Sequence, residues 1–437
     1  MGDKTMQPGR PTSSKTKRLC VASAIALILT LASHGHPPPA PTFPSTAGPI
    51  GQGCTSFCLD NGGHCVFGTN FDNDIHEGLL YVNKRNVSKT GWDPSTTDEY
   101  AHWTSKYGSL TFNLVGYQLI WAGMNEAGLM LSTMALGESV APAPDERPPL
   151  VTPLWLQYQL DNSSTVEEVM ASASEVRLAA PLPRAADHYL VCDHKGDCGV
   201  IEFLEGRPIY HTGDTLPVEA LANSTYEDSV RAWQTGSLPD NSLTRFGTAA
   251  DRVVGFKPTD SESAVRYAFD TLAQVSSPSW TMWSIVFDPQ NLQAHFRTKW
   301  NSHIRRIDLS RLDFSCGTPV EMLDIHEDLS GDVSGDFVPY SHDVSLDHAV
   351  NVLGKLGLET SRSQMETLLQ QMERYPCADG REHITQGGSP VSQWAGLVGT
   401  WAAIIVVVAA LALLVVWHGA RMRRRSVESG GEMGVGR

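Results

Sequence analysis

Cys54 heads a run, Cys54-Thr55-Ser56-Phe57-Cys58, that turns at Asn61-Gly62-Gly63 and returns as Val66-Phe67-Gly68-Thr69-Asn70-Phe71-Asp72. Turn residues between two β-type runs read as a hairpin. If the chain is cut before Cys54, one residue carries both a thiol and a free α-amino group. The thiolate is the attacking form of cysteine. A free thiol titrates near about 8.5 and an α-amino group near about 7.7 to 8.0, so the amine is a fair base at neutral pH. Such a nucleophile brings its own base and needs none from elsewhere in the fold. A carboxylate must then orient the amine and hold its proton, and Asp72 lies on the returning strand. On spacing alone, a turn-capping carboxylate is an equal reading of Asp72. Acyl transfer also needs donors for an oxyanion. Asn70, Asn125 and Asn223 are candidates that local pattern does not separate, and each also reads as an ordinary turn residue. A zinc site from Cys54, Cys58, His64 and Cys65 is a competing reading, but the spacing fits no common metal motif. The thiol chemistry itself calls for no cofactor.

The elements that must hold these residues are mostly strands. Short β-type runs occur at 79–84, 109–114, 129–134, 189–192, 200–204 and 284–288. Helical patterns interrupt them at 153–160, at 166–174 with Ser164 and Glu167 as a capping box, and at 261–275 with Asp260 as cap. Hairpins followed by helices, rather than strict alternation, predict an α+β or layered antiparallel architecture. After about residue 310 the character changes. An acidic loop spans 324–347, with Asp328, Asp332 and Asp336 regularly spaced. Oxygen-rich loops suit calcium, but this spacing fits no EF-hand and reads as a solvated surface. Helical periodicity follows over 346–375, then a polar stalk over 383–393.

The chain has 437 residues, 33 basic and 48 acidic, a net charge of −15. No basic stripe marks a nucleic-acid partner. Residues 19–32 form a short apolar run behind Lys15, Lys17 and Arg18, the pattern of a signal peptide over 1–35. An uncleaved anchor is the alternative. Residues 36–53, rich in Pro and Gly, read as a linker or pro-segment. Residues 395–417 carry no charge, are long enough to cross a bilayer, and precede Arg421, Arg423, Arg424 and Arg425. The expectation is a single-pass membrane protein with its body outside the cytosol, at the cell surface or in a lumen, and a cytoplasmic tail at 418–437. Between lie a domain at 54–310 and an extension and stalk at 311–394.

Cysteine usage agrees with that compartment. Of eight cysteines, Cys20 falls in the leader and Cys54 is the candidate nucleophile, leaving six. With a two-residue turn at Asn61-Gly62, Cys58 falls opposite Cys65. With a three-residue turn at His194-Lys195-Gly196, Cys192 falls opposite Cys198. Elimination pairs Cys316 with Cys377. Sequons for glycosylation stand at Asn86, Asn162 and Asn223.

Several stretches stand in the order of a known family. They are Cys54-Thr55-Ser56-Phe57, Gly68-Thr69-Asn70-Phe71-Asp72, Gly123-Met124-Asn125-Glu126-Ala127-Gly128-Leu129, Leu221-Ala222-Asn223-Ser224 and Thr244-Arg245-Phe246. Closing strands at 283–288 and 304–309 complete the set. From Cys54 to about Leu309 the chain resembles the choloylglycine hydrolase and penicillin V acylase family of linear amide carbon–nitrogen hydrolases, which are N-terminal-nucleophile enzymes. The resemblance implies a four-layer αββα sandwich and a small-molecule N-acyl amide substrate. It implies that Cys54 is nucleophile and base, that Asp72 bonds the amine and thiol, and that Asn223 holds the oxyanion. It further implies that Arg245 positions the nucleophile and that a backbone N–H near Ala135 is the second oxyanion donor, with Asn125 structural. The chain departs from the pattern at Thr69, where the family has an arginine, and at Ala135, where bile-salt enzymes have asparagine and penicillin V enzymes tyrosine. Those departures, with the sequon at Asn223, keep a second reading open: a binding ectodomain that retains the fold with impaired catalysis.

Overall fold

The computed structural model describes residues 53–61, 63–91, 100–179, 187–355 and 361–381. The leader at 1–35, the polar stalk, the apolar run at 395–417 and the tail lie outside the described residues. Among the described residues no helix is long and apolar enough to cross a membrane.

Two sheets dominate. The first has seven strands in the order β10 (Ala220–Leu221), β1 (Thr55–Asp60), β2 (Cys65–Asp72), β11 (Thr281–Asp288), β12 (Gln293–Thr298), β13 (Arg305–Asp308) and β15 (Gly331–Asp332). The second has nine: β9 (Arg207–Thr212), β8 (Cys198–Leu204), β7 (Asp187–Cys192), β6 (Met130–Ala135), β5 (Leu119–Asn125), β4 (Ser109–Gly116), β3 (Leu79–Asn83), β14 (Glu321–Asp324) and β16 (Val338–Pro339). Pairing is antiparallel except where β13 meets β15. Every residue of β2 is buried, so the strand is covered on both faces.

Alternation along β2 explains that. Phe67, Thr69 and Phe71 face the second sheet, while Asn70 faces helix. Phe71 stacks on Trp283 at 4.3 Å and meets the edge of Trp121 from the second sheet at 5.0 Å. Phe112 of β4 meets Phe287 at 5.9 Å and Phe296 at 5.6 Å. Each such ring pair adds about 0.5–1.5 kcal/mol beyond its buried area, so the seam between the sheets is held by aromatic packing. On the outer face of the first sheet lie α4 (Asn241–Val254) and α5 (Ser261–Gln274), both amphipathic. On the outer face of the second lie α1 (Thr152–Asn162) and α6 (His342–Lys355), with α7 (Arg362–Glu373) packed on α6. The layers run helix, sheet, sheet, helix. Asp260 caps α5 by accepting from the Ser263 N–H at 2.8 Å. The cap of α2 (Val166–Ala171) is Thr165, which accepts from the Glu168 N–H; Glu168 in turn accepts from the Ser164 N–H. The box predicted at Ser164 and Glu167 therefore sits one residue later.

Residues beyond 310 belong to the same layers and do not form a separate extension up to Arg381. Strand β14 pairs with β3, and α6 and α7 bury Leu346, Leu353, Met365 and Leu369 in the core of the second sheet. The helical periodicity over 346–375 is carried by two helices, α6 and α7. Cys316 and Cys377 are disulfide-bonded. In the acidic loop, Asp332 accepts from Arg306 at 2.9 Å, from Arg311 at 2.7 Å and from Ser334. Its charge is met by cations of the chain.

Cys192 and Cys198 stand directly opposite one another and are bonded. The turn expected at Asn61-Gly62 is wider, because β1 ends at Asp60 and β2 begins at Cys65. That shift of two residues sets Cys58 opposite Phe67 and Cys65 opposite Asp60. The Cys58 and Cys65 sulfurs approach to 3.2 Å without a bond, so both are free buried thiols here. Cys58 also lies beside the Cys192–Cys198 disulfide. Two of those three sulfurs are tied to each other, which leaves no thiolate set for a metal. His64 and Cys54 are not in the group.

A two-stranded ribbon, Ser88–Thr90 paired with His102–Thr104, is anchored to α1 by a fully buried ion pair. Lys89 Nζ lies 2.8 Å from an Asp161 carboxylate oxygen, which also accepts from Trp103 at 2.7 Å. Removing one partner strands the other charge away from water. Asp161→Ala is expected to lower stability by about 3–5 kcal/mol, read as the drop in free energy in a denaturant titration.

Candidate active site

The site lies where the leading end of β1 meets the trailing end of β2. Cys54 is 8% exposed. Burial, then the nearby Asp72 carboxylate, pushes its thiol up to about 12, against an N–H bond from the Asp72 backbone and the charge of Arg245. Such a thiol does not exist as a standing thiolate at neutral pH.

Asp72 ends β2 on the same side. Its Oδ1 accepts from the Thr281 hydroxyl at 2.6 Å, while Oδ2 is buried with no hydrogen-bond partner. Burial raises its carboxyl to about 6, with the Thr281 bond and Arg245 pulling the other way. At neutral pH it is ionised, and one oxygen is vacant for a donor.

Arg245 reaches in from the first turns of α4. Its Nη1 donates to the Cys54 carbonyl and to Thr55 Oγ1, both at 2.5 Å. Its Nη2 donates to Asn223 Oδ1 at 2.9 Å, and its Nε to Asn241 Oδ1 at 2.8 Å. The planar fork thus fixes Cys54 and Asn223 at once, a geometry lysine cannot reproduce. Asn223 follows β10. Its Nδ2 donates to the Ala135 carbonyl at 2.9 Å, and its backbone N–H donates to Ser242 Oγ at 2.9 Å. The amide keeps a second N–H for another acceptor. A glycan on Nδ2 would disrupt the bond to Ala135, so the sequon at Asn223 conflicts with this arrangement.

Gly53 is pressed against these groups. A Cβ there would overlap Asn223 Oδ1 and Arg245 Nη2, so the bond before Cys54 runs through the space that both residues face. Ala135 is exposed at the end of β6.

Asn70 does not join the site. It faces α5, donates to the Leu272 carbonyl at 2.8 Å and accepts from Ser284 at 2.8 Å, wholly buried. Its amide is spent on joining sheet to helix. Asn125 is likewise structural: it donates to the Leu160 and Ser163 carbonyls and accepts from the Ala127 and Leu129 N–H groups. Thr69 replaces a cation with a hydroxyl chain. Ser56 Oγ lies 2.7 Å from Thr69 Oγ1 and 2.8 Å from Ser132 Oγ, bridging the two sheets.

One residue was not legible in the sequence. Asp187 opens β7 directly opposite Ala135 and accepts from Thr133 Oγ1 at 3.0 Å. Burial raises its carboxyl to about 6, and its charge bears on the Cys54 thiol. No motif marks it; only the register of β6 with β7 brings it there.

Two sheets with helices outside them, and a cysteine held at a strand end by a carboxylate, an arginine and an asparagine, define a class of hydrolase. Residues 54–269 match the family model of the linear amide C-N hydrolases, choloylglycine hydrolase family. The match begins on Cys54. The chain is 25% identical over 288 residues to a penicillin V acylase of Pectobacterium atrosepticum, spanning 54% of this chain and 77% of that protein. The structure of the penicillin V acylase from Agrobacterium tumefaciens superposes with a TM-score of 0.58 at 25% identity, covering 66% of this chain and 98% of that one. A mutant of the conjugated bile acid hydrolase from Clostridium perfringens shares the fold, with a TM-score of 0.51 at 17% identity over 62% of this chain and 96% of that one.

Proposed function

We propose that the chain hydrolyses linear N-acyl amides with Cys54 as nucleophile and its own α-amine as base, once the Gly53–Cys54 bond is cut. The observation that carries this reading is the unpartnered Oδ2 of Asp72 beside Cys54, within a cage built by Arg245 and Asn223. That oxygen is suited to an ammonium.

In the uncut chain no amine exists, and Asp72 is the base at hand. It takes the thiol proton as Cys54 sulfur attacks the Gly53 carbonyl carbon. The Gly53–Cys54 C–N bond breaks, the Cys54 nitrogen gains a proton, and water hydrolyses the resulting thioester. In the mature chain the free amine takes the thiol proton while sulfur adds to the substrate carbonyl. The second N–H of Asn223 and a backbone N–H near Ala135 hold the oxyanion. The ammonium returns its proton to the leaving nitrogen, the C–N bond breaks, and an acyl thioester remains. Water, deprotonated by the amine, attacks the thioester; the acid departs and the thiol regains its proton.

The charge around the thiol bears on the substrate. Asp72 and Asp187 are anionic at neutral pH and Arg245 is the facing cation, so with the terminal amine in its neutral, base form the site carries a net negative charge. An amine portion bearing a carboxylate or sulfonate is disfavoured against a neutral or cationic one. Asp187→Asn is expected to raise the rate ratio of anionic over neutral amine portions about tenfold, the worth of one charge pair at an effective dielectric near 20 reduced by exposure. Matched N-acyl amides differing only in that charge read it.

The membrane tether at 395–417, with the body outside the cytosol, is part of the proposal. Its support is the uncharged length of that run and the arginines behind it. Carbonate extraction of cell membranes tests it: an anchored chain stays in the pellet.

The function is tested by trapping. Rapid acid quench of the mature protein with an N-acyl amide is expected to show one acyl group on the peptide beginning at Cys54, released by hydroxylamine. Turnover without any acyl adduct under single-turnover conditions contradicts a thioester route.

A further inference from the structure

Behind Asn223 lies a buried pair that the chemistry above does not use. His188 on β7 and Glu202 on β8 stand directly across from one another, 0% and 1% exposed. His188 Nδ1 is 3.1 Å from Glu202 Oε1, and its Nε2 is 2.6 Å from the Ala222 carbonyl oxygen. Both ring nitrogens therefore face acceptors, and each bond needs a proton on nitrogen. Glu202 Oε1 also accepts from the Tyr226 N–H at 2.9 Å. Its other oxygen lies 3.4 Å from His211 Nε2.

We propose that Glu202 and His188 are positioning residues that clamp the segment carrying Asn223 from both sides. The inference rests on the oxyanion role given to Asn223. Ala222 immediately precedes that residue and Tyr226 opens the helix after it, α3 (Tyr226–Thr235). One carboxylate thus sets the backbone on each side of the amide, through histidine upstream and directly downstream. Burial raises the Glu202 carboxyl, yet the bonds from His188 and His211 hold it down at about 2, so the clamp stays charged through the working pH range. Neither residue touches the space in front of Cys54. Their effect on turnover must pass through Asn223. Outer partners that orient metal-ligating residues, an analogous arrangement, are worth about ten- to a hundredfold in affinity or activity.

The test is a mutant cycle on the full chain. Glu202→Gln keeps the shape and an acceptor for Tyr226 but loses the charge; His188→Gln keeps one donor but not two. Each is expected to lower kcat about ten- to a hundredfold with KM unchanged, while the mature chain still begins at Cys54 and melts as a cooperative unit. In an Asn223→Ala background the same changes are expected to cost less than twofold. If they cost their full factor there, or if both single variants keep wild-type kcat, the clamp is overturned. If Asn223→Ala itself keeps full activity, the oxyanion reading falls and takes the clamp with it, a result distinct from either of those. Should one single variant fail to accumulate, the other carries the cycle.

Discussion

Cys54→Ala is expected to leave a chain still joined at Gly53–Cys54 and without measurable turnover of any N-acyl amide. In the proposed mechanism the sulfur is the attacking atom in both reactions, so one substitution removes both. No neighbouring group can replace it. Thr55 Oγ1 is engaged by Arg245, and Ser56 Oγ is tied to Thr69 and Ser132. The loss is expected at the level of about 10⁴-fold or more, since what remains is binding and oxyanion stabilisation alone. The fold should be indifferent, because Ala fills a site that already tolerates a small buried side chain. The readouts are gel mobility of the processed chain, amide turnover, and a melting curve within a few degrees of the parent.

Asp72→Asn is expected to separate activity from stability. Asn can still accept from Thr281, but it cannot take the thiol proton or hold an ammonium. Cleavage before Cys54 should slow by roughly 10²–10⁴-fold, the usual worth of a positioned base. The stability effect runs the other way. The Asp72 carboxyl sits at about 6 in the folded uncut chain against 3.8 when unperturbed. Between those values the folded state holds a proton that the unfolded chain has released, so this group's contribution to stability falls as pH rises through that window and is flat above it. Removing the charge should therefore raise the stability of the uncut chain at pH 7.5 by roughly 2–3 kcal/mol, with the gain shrinking toward pH 4. Comparing Cys54→Ala with and without Asp72→Asn isolates this effect from processing. The wild-type cleavage rate should fall as pH drops below about 6.

The two predictions draw on residues that the sequence made visible unequally. The hairpin from Cys54 to Asp72 was legible because tight alternation and a glycine-rich turn leave few alternatives. Its register was not. A turn two residues wider than the shortest geometry moved Cys65 away from the position opposite Cys58, and composition cannot distinguish those loops. Arg245 and Asn223 entered through family motifs, since they lie far along the chain and meet Cys54 only after α4 docks on β1. Asn70 shows the limit of a motif. It stands in the right pattern, yet alternation along β2 turns its amide to Leu272 and Ser284. Asp187, His188 and Glu202 had no local signal, because their roles come from cross-strand register. The boundary near 310 was misplaced for the same reason: a four-residue strand, β14, pairs with β3, whose residues lie far earlier in the chain (Glu321 opposite Val82), and hydrophobic periodicity does not report partners.

All of the proposed chemistry depends on one terminus. The most direct measurement is intact and top-down mass spectrometry of the purified active protein, reading its first residue. The account predicts that every active molecule begins at Cys54 with a free α-amine. An active preparation in which Gly53 is still attached to Cys54 would contradict it.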